Sequence, residues 1–383
     1  MQLLNRKVSM QASAHKVPFF NYPALFSSQE AELVSVFSDV GRRGAFIKQK
    51  DLEEFEKALA SFLGVAHALG VGNATDGLEV ALLASGIQAG DEVIICSHTM
   101  LATAVAVHFA GATPVPVECG PDHLIDPAAV EAAVSTKTRA IMPTQLNGRT
   151  CNMDALEKIA TEHGLLIVED AAQALGSRYK GRCAGSFGSA AAISFYPAKV
   201  LGCLGDGGAV VTGCTRVFEH ASELCNFGHN SSGDVVRWGF NSRLDNLHAA
   251  ILNLQFRKYG HVISTRRRLA ALYTERLAEV AEIVLPPAPD SDPDHFDIYQ
   301  NYEIEVERRN ELKAYLEDRG IGTLIQWGGR AIHQLKILGF THHLAYTDRL
   351  FTRMLMLPMN MSLNDYDLDY VCETIRGFFG YPK

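Results

Sequence analysis

The chain has 383 residues, of which 47% are hydrophobic and 20% are charged. This composition is close to that of average globular proteins and excludes a mainly disordered, collagen-like or coiled-coil chain. The length predicts roughly two domains. Acidic residues outnumber basic residues by 43 to 35, which gives a net charge of −8, so the sequence carries no basic footprint for nucleic acid.

The cysteine pattern and the N-terminus indicate a cytoplasmic protein. None of the eight cysteines forms a C-x-x-C pair or stands at zinc-ligand spacing from a histidine, so we expect reduced thiols and no metal site. The opening MQLLNRKVSMQASAHK lacks the apolar run of a signal peptide. The uncharged stretch from Ile94 to Val117 nearly reaches membrane-spanning length, but it contains two prolines and two histidines. We therefore expect a strand, a helix and a strand there, and no membrane segment.

From about Asp51 to Val211 the sequence alternates between helical and strand patterns. In chain order these are helix DLEEFEKALASFLG, helix ATDGLEVALLASG, strand EVIIC, helix LATAVAVHFAG, strand TPVPVE, helix PAAVEAAVS, strand RAIMPT, helix MDALEKIATEHG, strand LLIVED, strand AAAISFYP and strand GAVVT. This alternation predicts a mostly parallel mixed sheet sandwiched by helices, with its ligand at the carboxyl ends of the strands.

After about Asn241 the pattern changes. It predicts long helices in SRLDNLHAAILNLQFRKYG and TRRRLAALYTERLAEV, a connector in PPAPDSDPD, a strand in YQNYEIEVE and a helix in RNELKAYLEDRG. We predict a large α/β domain with an N-terminal arm over residues 1–250 and a smaller α+β domain over residues 251–383. The charge run Arg266–Arg268 is expected to lie on a solvated helix face rather than to clamp a phosphate.

Three segments of the predicted large domain carry chemistry. The stretch GVGNATDG leads into a helix, where small residues let backbone N–H groups approach a phosphate. It differs from a dinucleotide fingerprint because Thr75 stands where the last glycine is required and no acid follows the next strand. Asp170 directly follows a buried strand, where it either points into a site or caps a turn.

The third segment contains Lys199, between a strand and a glycine-rich turn. Burial would lower the pKa of its amine and let it attack a carbonyl, although many such lysines only extend to water. A phosphate cradle, an acid and a lysine together are what pyridoxal phosphate chemistry requires.

These segments resemble the sugar-nucleotide aminotransferases of the DegT/DnrJ/StrS family, which are pyridoxal phosphate enzymes of fold type I. The resemblance extends from about Val17 to the C-terminus. It is carried by GNATDGLEVAL, GDEVI, EDAAQALGSRYKG, GSFGSAAAISFYPAKVLGCLGDGGAVVT and GFNSRLDNLHAAIL. It implies pyridoxal 5'-phosphate as the cofactor, with pyridoxamine 5'-phosphate in the other half-reaction.

The resemblance also implies residue roles. Lys199 would bind the cofactor covalently and then carry the proton, Asp170 would pair with the pyridine nitrogen, and Gln173 would contact the ring hydroxyl. Asn241 would reach the phosphate of the neighbouring subunit's cofactor, which implies a homodimer with shared sites. The remaining cofactor contacts would be Ala74, Thr75, Asp76 and Ser194 on the phosphate side and Met100 on a ring face.

Three stretches depart from the family pattern on the expected substrate side. Met100 stands where an aromatic residue often covers the ring, QLNG at 145–148 replaces H-L-Y-G, and QWGGRAIHQ at 326–334 stands where many members have a histidine-tyrosine-proline stretch. A nucleotide needs basic contacts, for which Arg42, Arg43, Lys48 and Arg330 are the candidates. His333 either binds the sugar or is a satisfied core histidine.

The resemblance implies transfer of an amino group from glutamate to a nucleotide-linked keto-deoxysugar. We favour dTDP-4-keto-6-deoxyglucose, because QWGGRAIHQ is similar to viosamine-type 4-aminotransferases. The 4-amino-4,6-dideoxy product would serve a cell-surface polysaccharide such as lipopolysaccharide O-antigen. GDP-linked, UDP-linked and 3-keto sugars stay open. The alternatives are a sugar dehydratase, which carries histidine at the lysine position, and a non-catalytic regulator, which would not need Lys199 and Asp170.

Overall fold

A computed structural model describes residues 15–382. The segment MQLLNRKVSMQASA, on which the expected absence of a signal peptide mostly rests, lies outside them. The helices are α1 (Tyr22–Ser27), α2 (Glu30–Arg43), α3 (Lys50–Leu63), α4 (Ala74–Ser85), α5 (Leu101–Phe109), α6 (Pro127–Ala133), α7 (Met153–His163), α8 (Thr215–Leu224), α9 (Asn246–Phe256), α10 (Tyr259–Leu277), α11 (Arg309–Glu317), α12 (Ala345–Arg353) and α13 (Asp365–Phe379). The strands are β1 (His67–Val71), β2 (Glu92–Cys96), β3 (Thr113–Val117), β4 (Thr138–Met142), β5 (Leu166–Asp170), β6 (Arg178–Tyr179), β7 (Arg182–Cys183), β8 (Ala190–Ser194), β9 (Gly208–Thr212), β10 (Ile283–Val284), β11 (His295–Phe296), β12 (Tyr302–Val306) and β13 (Met354–Leu357).

Seven strands form the central sheet in the order β1-β9-β8-β5-β4-β2-β3. The neighbours from β8 through β3 pair in parallel, whereas β9 is antiparallel to both β8 and β1. Helices cover both faces, so most residues of its strands are buried. The predicted α/β fold with a mostly parallel mixed sheet is confirmed.

Local sequence signals position the ends of these elements. Asn73 caps α4 by accepting the N–H of Asp76, and Gly86 ends that helix in the left-handed region. The uncharged stretch forms β2, α5 and β3, as expected. Within residues 15–382 no helix is long and apolar enough to cross a bilayer, and no cluster of histidine, cysteine, aspartate or glutamate could hold a metal ion. All eight cysteines are free thiols.

A second core lies around the three-stranded sheet β10-β12-β13, packed by α10, α11 and α13. Leu252 on α9 belongs to the core of the large sheet, whereas Leu269 on α10 belongs to this second core. Tyr259 and Ile263 at the start of α10 still belong to the large core, so the packing changes within α10, beyond the predicted boundary after residue 250, which stays a prediction. The segment before α1 joins the second core: Val17 is fully buried there and pairs with Ile321.

The structure corrects the expectation for the run Arg266–Arg268. Arg266 is buried, and its guanidinium donates to the backbone carbonyls of Tyr299 and Gln300 at 2.8 and 2.7 Å. The run lies on α10 where that helix passes residues 299–300, just before β12. The expectation of a solvated face was therefore wrong for Arg266. A guanidinium has five N–H donors in a fixed plane, which suits it to two adjacent carbonyls.

A buried ion-pair cluster joins the two cores. His123, in the loop after β3, contacts Glu303 at 2.7 Å and Glu305 at 3.1 Å through its two ring nitrogens. Burial opposes charging of the imidazole, but the two carboxylates outweigh burial and raise the pKa of His123 to about 10. Glu303 is held below its usual pKa, against burial, by the facing histidines. The cluster thus fixes β12 to the large domain as a charged assembly.

His123→Gln is expected to lower the melting temperature more at about pH 6 than at about pH 10. The folded protein holds a proton on His123 up to about pH 10, whereas the unfolded chain loses it near 6.5. The stabilisation is therefore complete below the unfolded pKa and disappears as the pH rises through the folded pKa. Thermal melts of both proteins across this range measure the difference. An equal penalty at both ends would contradict a charged His123.

Candidate active site

The carboxyl ends of β1, β8 and β5 lie at one edge of the central sheet, where the antiparallel strand β9 begins. Asp170 ends β5 and Ser194 ends β8, and these two strands run in parallel. Gly208 begins β9, opposite Ser194 on one side and Val71 on the other. The loop after β1, the start of α4 and the loop after β8 therefore converge at this edge.

The start of α4 offers unpaired N–H groups. Asn73 satisfies Asp76 and Gly77, whereas the N–H groups of Ala74 and Thr75 have no acceptor within residues 15–382. The Ser194 hydroxyl accepts from the N–H of Tyr196 and leaves its own proton free to donate. These donors could hold a phosphate, whose charge the positive end of the helix dipole would favour. We call Ala74, Thr75 and Ser194 the phosphate cradle.

Gly208 packs directly against the backbone of this cradle. A Cβ at Gly208 would lie 2.6 Å from the carbonyl carbon of Asn73 and 2.7 Å from the nitrogen of Ala74. These are backbone atoms of the helix start, so they cannot move aside as a flexible side chain would. The strand therefore supports the cradle only because residue 208 has no side chain.

Gly208→Ala is expected to weaken cofactor binding about tenfold or more and to destabilise the protein by about 1–3 kcal/mol, because the methyl group displaces the cradle. Thermal melts and titration with pyridoxal phosphate measure the two effects. Gly213→Ala is the matched control, since a Cβ there meets no atom within 4 Å. Equal behaviour of the two variants would contradict the role given to Gly208.

Asp170 is buried at the end of β5, at one end of a chain of three threonine hydroxyl groups. Thr103 donates to its Oδ2 at 2.7 Å, and the N–H of Ala172 donates to its Oδ1 at 3.2 Å. Thr103 is itself bonded to Thr99, which contacts Thr144 at 2.9 Å. Burial raises the pKa of Asp170, and the Thr103 and Ala172 donors and nearby Lys199 oppose that rise. The carboxylate is thus held in one orientation at the end of β5.

Lys199 lies in the loop that follows β8. The prediction extended that strand through FYP, but it ends at Ser194 because the chain closes on itself: Cys203 donates to the carbonyl of Phe195. Burial lowers the pKa of Lys199 to about 8, and Asp170 opposes this. Lys199 also lines a cavity of about 670 Å³ together with Tyr196 and Asn301. The predicted amine and acid thus follow from neighbouring strands, close enough for each charge to affect the pKa of the other.

Two further predicted cofactor contacts lie around this pair. Gln173 is half-buried three residues after Asp170, and its side chain is held by Asn147 and Asn301. Met100 precedes α5 and is 52% exposed, whereas the three residues before it are buried. Asp76 has a structural contact as well: its carboxylate accepts from Ser242 at 2.6 Å, and Ser242 in turn accepts the N–H of Gly72.

Asn241 and Lys48 lie outside this cluster but close to each other. Asn241 is exposed, next to Ser242, and pairs through its backbone with Asn226. Lys48 donates to the side chain of the same Asn226 at 3.1 Å. Arg42 is an exposed side chain in the last turn of α2, and Arg43, which ends that helix, pairs with Asp39 and Asp51.

The two other predicted substrate residues differ in exposure. Arg330 is exposed and follows Gln326 by four residues. His333 is only 2% exposed, and its ring nitrogens lie 2.7 Å from the Ser97 hydroxyl and 2.9 Å from Asp348. This packing favours the core-histidine interpretation, because neither nitrogen is left for a sugar. His333 is therefore not part of the substrate site that we propose.

The residues present fit pyridoxal phosphate. The cradle supplies donors for a phosphate, Asp170 is an oriented buried acid, and Lys199 is a buried amine with a lowered pKa. The sequence analysis missed the residues that hold Asp170 and Gln173, namely Thr99, Thr103, Thr144 and Asn301. It did single out Asn147 and Gln326, as departures from the family pattern.

Comparison with known proteins gives an independent result. The model of the DegT/DnrJ/EryC1/StrS aminotransferase family matches residues 27–376. The dTDP-3-amino-3,4,6-trideoxy-alpha-D-glucose transaminase of Streptomyces venezuelae is 43% identical over 84% of this chain and 84% of its own. The pleiotropic regulatory protein of Geobacillus stearothermophilus is 36% identical over 95% and 98%. The crystal structure of DesV from S. venezuelae superposes with a TM-score of 0.91 at 38% identity, covering 96% of this chain and 100% of that one.

Proposed function

The chain belongs to the DegT/DnrJ/EryC1/StrS aminotransferase family, and from that premise we propose that it transfers an amino group from glutamate to dTDP-4-keto-6-deoxyglucose. It is a sugar-nucleotide aminotransferase that uses pyridoxal 5'-phosphate. The observation that carries the proposal is that Lys199, with its lowered pKa, and oriented Asp170 come from the neighbouring strands β8 and β5, at the sheet edge where α4 begins.

The chemistry divides between the cofactor and the chain. When bound, pyridoxal phosphate supplies a carbon that exchanges the amino group and a ring that accepts the electrons released there. Asp170 would hold a proton at the ring nitrogen, and Thr103 keeps its carboxylate oriented for this. Ala74, Thr75 and Ser194 would hold the phosphate through the free donors of the cradle.

Lys199 would move the proton in each half of the reaction. With a pKa of about 8, roughly a tenth of its amine is neutral at pH 7, which suffices for a base that works near neutral pH. In each half-reaction Nζ would take the proton from the carbon that loses the amino group and deliver it to the carbon that receives the amino group. A sugar dehydratase of this fold would carry histidine here instead, so Lys199 supports transamination.

The sugar carbon that receives the amino group has two candidates, C4 and C3. The 4-keto sugar is favoured by the QWGGRAIHQ stretch, of which Gln326 bonds Asn147, the neighbour of Gln173. A 3-keto sugar is favoured by the relative that is 43% identical and named for a 3-amino product. Other relatives are named for UDP- and GDP-linked sugars, so the preference for the nucleotide must be measured as well. Location in the cytoplasm and use in O-antigen synthesis stay predictions.

An absorbance spectrum of the purified protein, before and after glutamate, tests the proposal first. We expect a visible cofactor band that bleaches when the amino group is transferred. The aminated protein is then offered dTDP-linked 4-keto and 3-keto sugars and their UDP and GDP counterparts, and NMR of the product locates the new amine. No visible band after addition of pyridoxal phosphate would favour the regulator interpretation, to which the 36% identical relative's name corresponds.

We further propose that the active unit is a homodimer in which Asn241 reaches the partner's phosphate. Support comes from the segment before Asn241, where Val235, Val236 and Trp238 are exposed, the last by 96%. A large apolar surface of this kind is costly in water unless a partner covers it. Lys48, which bonds Asn226 next to Asn241, and the exposed Arg42 are candidates for binding the nucleotide.

Subunit mixing tests the shared site. Lys199→Ala and Asn241→Ala are each expected to be nearly inactive as pure proteins, because every site then lacks one residue. In a mixed dimer one site contains both substitutions and the other contains neither, so mixing should restore up to about half of the activity per mixed dimer. Sedimentation confirms the dimer, and mixing without recovery would contradict the shared site.

A further inference from the structure

Two stretches that depart from the family pattern meet in the structure. Asn147 belongs to QLNG and Gln326 to QWGG, and they are 179 positions apart in the chain. The Gln326 side-chain amide donates to Asn147 Oδ1 at 2.6 Å. Gln326 is only 3% exposed, so the bond is shielded from water. Both departures thus belong to one contact rather than to two separate changes.

The contact continues to Gln173. Asn301 Nδ2 donates to Asn147 Oδ1 at 2.8 Å and also lies 3.4 Å from Gln173 Oε1. The backbone N–H of Asn147 donates to Gln173 Oε1 at 2.9 Å. A backbone N–H can only donate, so the Gln173 atom that faces it is the oxygen. Within residues 15–382 the Gln173 NH₂ group has no acceptor.

The four amides are held by rigid surroundings. Asn147 has a φ of 55° and Gly148 a φ of 89°, and a Cβ at Gly148 would lie 2.6 Å from the nitrogen of Gln300. The carbonyl of Gly148 accepts the N–H of Ile298. Arg266 holds the carbonyl of Gln300 from the other side. The segment that carries Asn301 therefore has little freedom to shift against Asn147.

We propose that Asn147, Asn301 and Gln326 are positioning residues, which hold the Gln173 amide with its NH₂ group directed to the ring oxygen of the cofactor. This rests on the proposed function, in which Gln173 contacts that oxygen. Asn301 and Gln326 lie in the predicted small domain, whereas Gln173 and Asn147 lie in the large one. The orientation of Gln173 therefore depends on the seating of the small domain.

The midpoint pH at which the visible band of the cofactor-loaded protein changes tests the proposal. A donor to the ring oxygen stabilises its negatively charged form, so loss of the donor raises this midpoint. Gln173→Ala is expected to raise it by about one pH unit. Gln326→Met and Asn301→Ala should raise it in the same direction by a smaller, measurable amount, although neither residue is proposed to touch the cofactor.

Gln334→Met is the matched control. It removes an amide from the same segment that bonds Ala331 and Asp348 but not Gln173, so the midpoint should stay unchanged while the melting temperature falls. The neutral substitutions add no charge that would shift the midpoint by itself. If Gln326→Met fails to fold, as circular dichroism would show, Asn301→Ala alone decides.

The outcomes separate the two proposals. An unchanged midpoint in Gln173→Ala would refute the contact of Gln173 with the cofactor and the positioning role together. A raised midpoint in Gln173→Ala, but not in Gln326→Met or Asn301→Ala, would refute the positioning role and leave the proposed function intact. A wild-type protein without a visible band would refute the proposed function itself.

Discussion

Lys199→Ala is expected to lower the rate of amino transfer by at least about 10⁴-fold. The substitution removes both the covalent attachment point and the amine that moves the proton, and general acid–base catalysis alone contributes about 10²–10⁴-fold. Folding should be little affected, because the Lys199 amine makes no hydrogen bond within residues 15–382. Burial without a hydrogen-bonded partner costs stability, so the variant should melt at the same temperature or slightly higher.

Borohydride reduction tests the same residue without any substrate. Reduction of the loaded wild-type protein followed by peptide mass spectrometry should find the cofactor mass on the peptide that contains Lys199. Lys180→Ala serves as the matched control, because that lysine is exposed and pairs with Asp154 at the surface. It should keep full activity and the labelled peptide. A label on any other lysine would contradict the assignment.

Asp170→Asn is expected to lower amino transfer by about 10³-fold and to shift the absorbance spectrum. A carboxamide keeps the size and can still accept from Thr103, but it carries no charge to keep a proton at the ring nitrogen. The ring then accepts electrons poorly in both half-reactions. Stopped-flow spectra with glutamate measure the first half-reaction separately from the sugar.

Two comparisons isolate the charge of Asp170. Thr103→Val keeps the carboxylate and removes one donor at 2.7 Å, so the loss should be several-fold rather than a thousandfold. Glu169→Gln changes the adjacent buried acid, which accepts from Gln145, Gly185 and Phe187. That variant should lose stability and keep its spectrum. A loss of rate in Glu169→Gln as large as in Asp170→Asn would contradict the distinct role of Asp170.

The alternation of helices and strands was readable from the sequence because hydrophobic periodicity is a local property. Glu92–Cys96 and Ala74–Ser85 appear nearly where the pattern predicts them. The end of β8 was misplaced, since its apolar residues continue while the chain turns at Phe195. Arg266 was misread because a run of arginines has the appearance of a surface, and its partners lie more than 30 residues away.

In the candidate site too, some features were readable from local sequence patterns and others were not. Lys199, Asp170 and the start of α4 each have a local signature, so the sequence indicated them one by one. The contacts that orient them are between residues distant in the chain, such as Asp170 with Thr103 and Asn147 with Gln326. Single-sequence patterns contain no information on such pairs, and only the packed fold reveals them.

The pairing of Val17 with Ile321 sets the order in which a growing chain can finish its structure. The N–H of Val17 donates to Gly320, and Gly322 donates back to Val17. The strands of the central sheet all lie between His67 and Thr212, so that layer can assemble while synthesis continues. Val17 cannot pair until Gly320 and Gly322 have been synthesised, some 300 residues later. The apolar residues next to it, Phe19 and Phe20, therefore stay open to aggregation until the last quarter of the chain has left the ribosome.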